Sequence, residues 1–198
     1  MHRITLILAL ISSSPAFAND LVPASTPVNV ARSDLQVSPD RDWNKLDARP
    51  GRNSETWTLD GELLNDVSFY GGTENNRTLF REVDRRNRPL PRFTSTMLPT
   101  DIPTLLENSY RIARDVSIFT LDSQEPIRFA GNPGIRFTYS FIGRDNLHRS
   151  GEAHAAIIDG RLYMATFEAP SIHYFANGIA AFRHIAASAH IARPARRR

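Results

Sequence analysis

The segment from Glu152 to Glu168 constrains the fold most. Two largely apolar runs, Glu152–Ile158 and Leu162–Glu168, flank Asp159-Gly160. Asp-Gly suits a two-residue hairpin, because both central positions of a type I′ turn need positive φ. The turn pairs Ile158 with Arg161. Strand alternation then puts Ala153, Ala155, Ile157, Leu162 and Met164 on one face, and Glu152, His154, Ala156, Tyr163, Ala165 and Phe167 on the other. Both faces carry apolar side chains, so this sheet must be covered on both sides.

The rest of the chain supplies partners and covers. Glu55–Asp60 and Asp66–Tyr70 read as an opening hairpin, with Gly71-Gly72 stopping its second strand. Val116–Leu121, Ile127–Ala130 and Ile135–Ile142 read as three further strands. Ile102, Leu105, Leu106, Tyr110 and Ala113 repeat at helical spacing behind Thr100 or Asp101 as a cap, which predicts a helix over 102–114. A second helix is expected over 171–190, broken near Asn177-Gly178. Residues 19–42 hold three prolines and few large apolar side chains. That composition reads as a disordered lead. The fold class is therefore α/β of the α+β type, a mostly antiparallel sheet flanked by helices. It forms a single domain over 43–190, followed by a basic tail over 191–198.

The start of the chain speaks to location. Met1-His2-Arg3 is basic, Ile4–Ile11 is apolar, and Ala16-Phe17-Ala18 has the small-x-small form of a cleavage site, so 1–18 reads as a secretory signal. The apolar run is too short to span a bilayer. Cleavage would leave a periplasmic or secreted bacterial protein with no stable membrane insertion. The chain has no Cys. It is neither a disulfide scaffold nor a lipoprotein attached through a cysteine, and its core must hold it together.

The opening hairpin, the Met97-Leu98-Pro99 entry to the first helix, the Ile157–Tyr163 hairpin and the closing Ile185-Ala186-Ala187-Ser188 resemble the PsbP-like fold over about residues 55–190. That resemblance implies an antiparallel sheet flanked by helices. It carries over no catalytic residue.

Of the basic residues only Lys45 is lysine; the other twenty-three are arginine. Selection for forked anion contacts and the base composition of a GC-rich genome both produce such a bias. Six arginines crowd one polar segment between the hairpin and the first helix: Arg77, Arg81, Arg85, Arg86, Arg88 and Arg92. They are the candidate contact for an anionic partner, with Glu74, Glu82 and Asp84 among them as competing ion-pair partners. A second constellation is His148, Glu152 and His154, whose even spacing places them on one strand face and whose donors suit zinc. Glu168 falls on the opposite face in the hairpin register. No G-x-S-x-G, H-E-x-x-H or phosphate-binding glycine loop occurs.

The reading is an exported, non-enzymatic accessory or binding protein. Its expected partner is an unknown protein or a small anionic ligand, not nucleic acid, and no cofactor is implied. The alternative is a metal-dependent hydrolase built on the His/Glu constellation.

Overall fold

The computed structural model describes residues 20–192. The expected signal sequence and the Arg193–Arg198 end of the basic tail lie outside the described residues. Eight strands form one antiparallel sheet in the order β1-β4-β5-β6-β10-β9-β8-β7. They are β1 (Asp20–Val22), β4 (Trp43–Lys45), β5 (Ser54–Thr58), β6 (Asp66–Thr73), β7 (Ile118–Phe129), β8 (Asn132–Ile142), β9 (His148–Ile158) and β10 (Arg161–Pro170). A small second sheet joins β2 (Val28–Asn29), β3 (Leu35–Val37) and β11 (His190–Ile191). Helix α1 is Ile102–Ala113 and helix α2 is Tyr174–Ser188.

The β9–β10 hairpin turns at Asp159-Gly160 and pairs Ile158 with Arg161, as the sequence requires. Its two faces enter two separate cores. Ala153, Ala155, Leu162 and Met164 pack under α1 with Leu105, Leu106 and Tyr110. Ala156, Tyr163, Ala165 and Phe167 pack under α2 with Phe182 and Ile185. Two covered faces are the consequence of a hairpin that is apolar on both sides.

Four expectations are corrected. The lead over 19–42 is ordered from Asp20 onward, so the domain begins well before Trp43. Val22, Val30, Leu35 and Val37 are buried in the α2-side core. They are spaced singly among prolines and polar residues, so composition hides them, whereas the folded chain collects them on one surface. Next, β6 is not stopped at Gly71-Gly72 but runs on to Thr73. A Cβ on Gly71 would sit 2.2 Å from Ser33 Oγ, so the glycine permits a close approach of the lead rather than ending the strand. Third, Val116–Leu121 and Ile127–Ala130 belong to one strand, β7, whose register against β8 shifts between Leu121 and Ser123. Pro126 is tolerated within β7 because that strand is an edge of the sheet. Finally, α2 runs unbroken through Asn177-Gly178. A Cβ at Gly178 would fall 2.4 Å from the Phe167 ring, and the missing side chain lets the helix lie close on β10.

Candidate anion-binding cleft

Two glycines bring three arginine-bearing loops together. Gly51 packs against the 79–80 backbone, where a Cβ would lie 2.1 Å from the Leu79 carbonyl oxygen. The Arg81 amide donates to the Pro50 carbonyl at 2.8 Å, locking the loop before β5 onto the loop after β6. Gly71 receives Ser33 and Ala31 in the same way. The turn carrying Arg32 is further fixed by left-handed backbone at Ala31 (φ 54°) and Arg32 (φ 53°). The Ala31 amide donates to Glu55 Oε2 at 3.2 Å.

The result is a cleft of about 610 Å³ lined by Arg32, Arg49, Arg52, Arg77 and Arg81. Its carboxylates, Glu74 and Glu82, are turned elsewhere. Glu82 accepts two hydrogen bonds from Arg92, at 2.8 and 3.0 Å, and Glu74 lies 4.0 Å from Arg161. Among the described residues, none of the five lining guanidinium groups forms an ion pair. Arg49 Nη1 is buried and has no hydrogen-bond partner. Arg32, Arg52, Arg77 and Arg81 are exposed and Arg49 is half-buried, so the positive potential they share opens to solvent and is screened by salt. A buried donor left without an acceptor costs about 1–3 kcal/mol.

Beside this cleft lies a smaller one of about 260 Å³ that shares Arg49 and Phe80 with it. Asp66, Ser68, Thr56, Tyr70 and Arg114 also line it. Its floor belongs to a buried polar centre. Asp66 on β6 and Glu168 on β10 are direct partners across the ladder. Glu168 Oε1 accepts hydrogen bonds from the Tyr110 hydroxyl and, at 2.7 Å, from the Tyr139 hydroxyl. Arg114 Nη1 donates to Glu168 Oε2 at 2.5 Å. One cation thus serves two carboxyl groups. Burial, and then the negative charge of Glu168, push the Asp66 carboxyl up to about 7, with Arg114 acting against them. Burial also raises the Tyr110 and Tyr139 hydroxyls well above the ordinary phenol range.

The six arginines picked from the sequence do not act as one group. Arg77 and Arg81 line the cleft. Arg92 is committed to Glu82 and to the Asn76 carbonyl. Arg88 crosses to the end of α1, donating to the Ile112 carbonyl at 2.7 Å and pairing with Asp115. Arg85 and Arg86 sit exposed in the turn between Asp84 and Asn87. Sequence reasoning missed Arg32, Arg49 and Arg52, which come from segments remote from that loop. Gly71-Gly72 was a readable signal, taken as a strand stop rather than as a point of close approach, and Gly51 is a second such point.

His148, Glu152 and His154 do not come together as a ligand set. No group of three or more metal-ligating side chains comes together among the described residues. His148 opens β9 and is exposed, about 13 Å along the strand from Glu152 at the usual rise per residue. A shared face does not give a shared centre at that spacing. Glu152 is instead buried under α2, taking Arg183 Nη2 at 2.6 Å and Arg183 Nε at 3.0 Å, with His154 Nε2 2.9 Å away. Burial works against its ionisation, but the bonds from His154 and Arg183 prevail and hold it down at about 2.

The architecture matches that of cyanobacterial PsbP (CyanoP) from Synechocystis sp. PCC 6803, with a TM-score of 0.56, 14% identity, and coverage of 90% of this chain and 96% of that one. The chain has a PsbP-like fold. LpqN of Mycobacterium tuberculosis, described as involved in cell envelope biogenesis, aligns at a TM-score of 0.38 and 9% identity, covering 88% of this chain and 91% of that one. No protein-family model and no curated protein matches the chain. The PsbP-like fold places a two-sided sheet and two helices; the arginine cleft rests on the side chains described above.

Proposed function

We propose that this chain is an exported, non-enzymatic accessory or binding protein that holds an anionic partner in the cleft of Arg32, Arg49, Arg52, Arg77 and Arg81. One observation carries the reading: five guanidinium groups from three loops share a cleft in which none has an ion-pair partner among the described residues. An arginine fork is matched to carboxylate and phosphate oxygens. Stability gives no reason for such an arrangement, because unpaired like charges repel. The signal-like start at 1–18 supports export.

The test is titration calorimetry of the mature protein with inorganic phosphate and with citrate at low salt. Saturable binding that weakens as salt rises is expected, and Arg49→Gln combined with Arg52→Gln should weaken it at least about tenfold. Absence of binding at low salt, or binding untouched by the double substitution, removes the reading. N-terminal sequencing of protein from the periplasmic fraction should begin at Asn19.

A further inference from the structure

The two clefts adjoin through Arg49 and Phe80, and their chemistry changes along the way. One end is mainly cationic, with five arginines and two carboxylates, Glu74 and Glu82, which pair with Arg161 and Arg92. The other presents Asp66, Ser68 and Thr56. Asp66 Oδ1 accepts from Ser68 Oγ at 3.3 Å, while its other oxygen accepts no hydrogen bond among the described residues. Ser68 and Thr56 hydroxyls lie 2.8 Å apart; with Ser68 donating to Asp66, Thr56 donates to Ser68, and the hydroxyl oxygens keep lone pairs that accept. Phe80 forms the wall where the two ends meet, its ring edge-on to Tyr70 at 6.1 Å.

We infer that the two clefts form one groove that seats an organic phosphate with a hydroxyl-bearing body, the phosphate among the arginines and the hydroxyls against Asp66, Ser68 and Thr56. This rests on the anion reading above and deepens it. A phosphate dianion has three oxygens to share among separate guanidinium forks, whereas a single carboxylate satisfies one. At the other end Arg49 and Arg114 stand with Glu62 and Asp66 in the lining, so the charges balance and neutral hydroxyls can donate to the Asp66 carboxyl. The smaller cleft, at about 260 Å³, is sized for a sugar-like body rather than a peptide. Phe80 offers a ring for the carbon skeleton of that body.

The experiment compares glucose 6-phosphate, inorganic phosphate and glucose by calorimetry on the mature protein at low salt. Glucose 6-phosphate should bind at least about tenfold more tightly than inorganic phosphate, and glucose alone should give no measurable heat. Arg49→Gln should weaken both phosphates. Asp66→Asn and, separately, Ser68→Ala should erase the advantage of glucose 6-phosphate and leave inorganic phosphate unchanged; thermal melts establish that each variant is folded. Equal affinity for the two phosphates overturns this inference and leaves the anion reading standing. Failure of both phosphates overturns the two together. A sugar-phosphate advantage that survives both Asp66→Asn and Ser68→Ala places the hydroxyls elsewhere and also overturns it.

Discussion

Each face of the central sheet buries a glutamate under an arginine from the covering helical layer, and the two are balanced differently. On the α2 face, Glu152 meets Arg183 through a forked contact and gains His154 beside it. Its charge is fully answered. On the α1 face, Glu168 meets Arg114, but Asp66 stands directly opposite on the next strand, so one guanidinium serves two carboxyl groups. The first centre ties a helix to a sheet. The second retains a proton near neutrality and borders the clefts. The lesson is that a buried ion pair alone does not mark a site; a charge imbalance beside open space does.

The largest test of this contrast is Glu168→Ala. It strips Arg114, Tyr110 and Tyr139 of their common acceptor. Loss of a buried charged partner of this kind costs about 4 kcal/mol, measured as a drop in the urea midpoint. Next comes Asp66→Asn, where the sign depends on pH. The native Asp66 carboxyl titrates near 7, above its unfolded value of 3.8. The native state therefore binds more protons between those values, and the wild type loses stability as pH rises through that window. Asn cannot ionise. The variant should match the wild type near pH 4 and exceed it at pH 8 by roughly 3 kcal/mol, less than the full linkage because the buried pair relaxes. A wild-type-minus-variant difference that is flat with pH would break the comparison at its centre.

Glu152→Gln should cost less, about 2 kcal/mol, since Arg183 is half exposed and can be solvated when its partner is lost. Its acid limb runs the opposite way. Glu152 is held at about 2, so its stabilisation is present above the ordinary glutamate range and fades as pH falls toward 2. Smallest of all, Arg85→Glu with Arg86→Glu should shift stability by no more than about 0.5 kcal/mol and leave phosphate binding within twofold, because both side chains are exposed and outside the cleft lining.

The fold was legible where side-chain periodicity met a clear turn. The face assignment around Asp159-Gly160 and the apolar stripe of α1 follow from local spacing alone; the structure reproduces the first, and the second at Ile102, Leu105, Leu106 and Tyr110, while Ala113 at the helix end is exposed. Ordered residues such as Val30 and Leu35 were not legible, because their burial depends on contacts with α2-side residues more than a hundred positions away. Glycine was misread for a related reason. Gly71 and Gly178 look like breaks in a one-dimensional pattern but serve as points of contact in three dimensions. The cleft was half visible: Arg77 and Arg81 stood out in a crowded loop, whereas Arg32, Arg49 and Arg52 are brought to them only by tertiary packing. The buried Asp66–Glu168 centre was hidden because cross-strand register between β6 and β10 joins residues a hundred positions apart.

The long edge strand β7 has a consequence for how these molecules behave in a crowd. An open sheet ending in a twelve-residue strand is a template on which another copy could polymerise. Here the register shift after Leu121 spoils straight alignment, Pro126 lacks an amide to offer, and Asp122, Glu125 and Arg128 make the rim charged. Ile118 and Leu121 are exposed at one end of the strand, but beyond them a newly arriving strand would find a broken row of donors and a charged rim. The features that let the sheet stay wide and open are the same ones that oppose growth of a fibre from its edge.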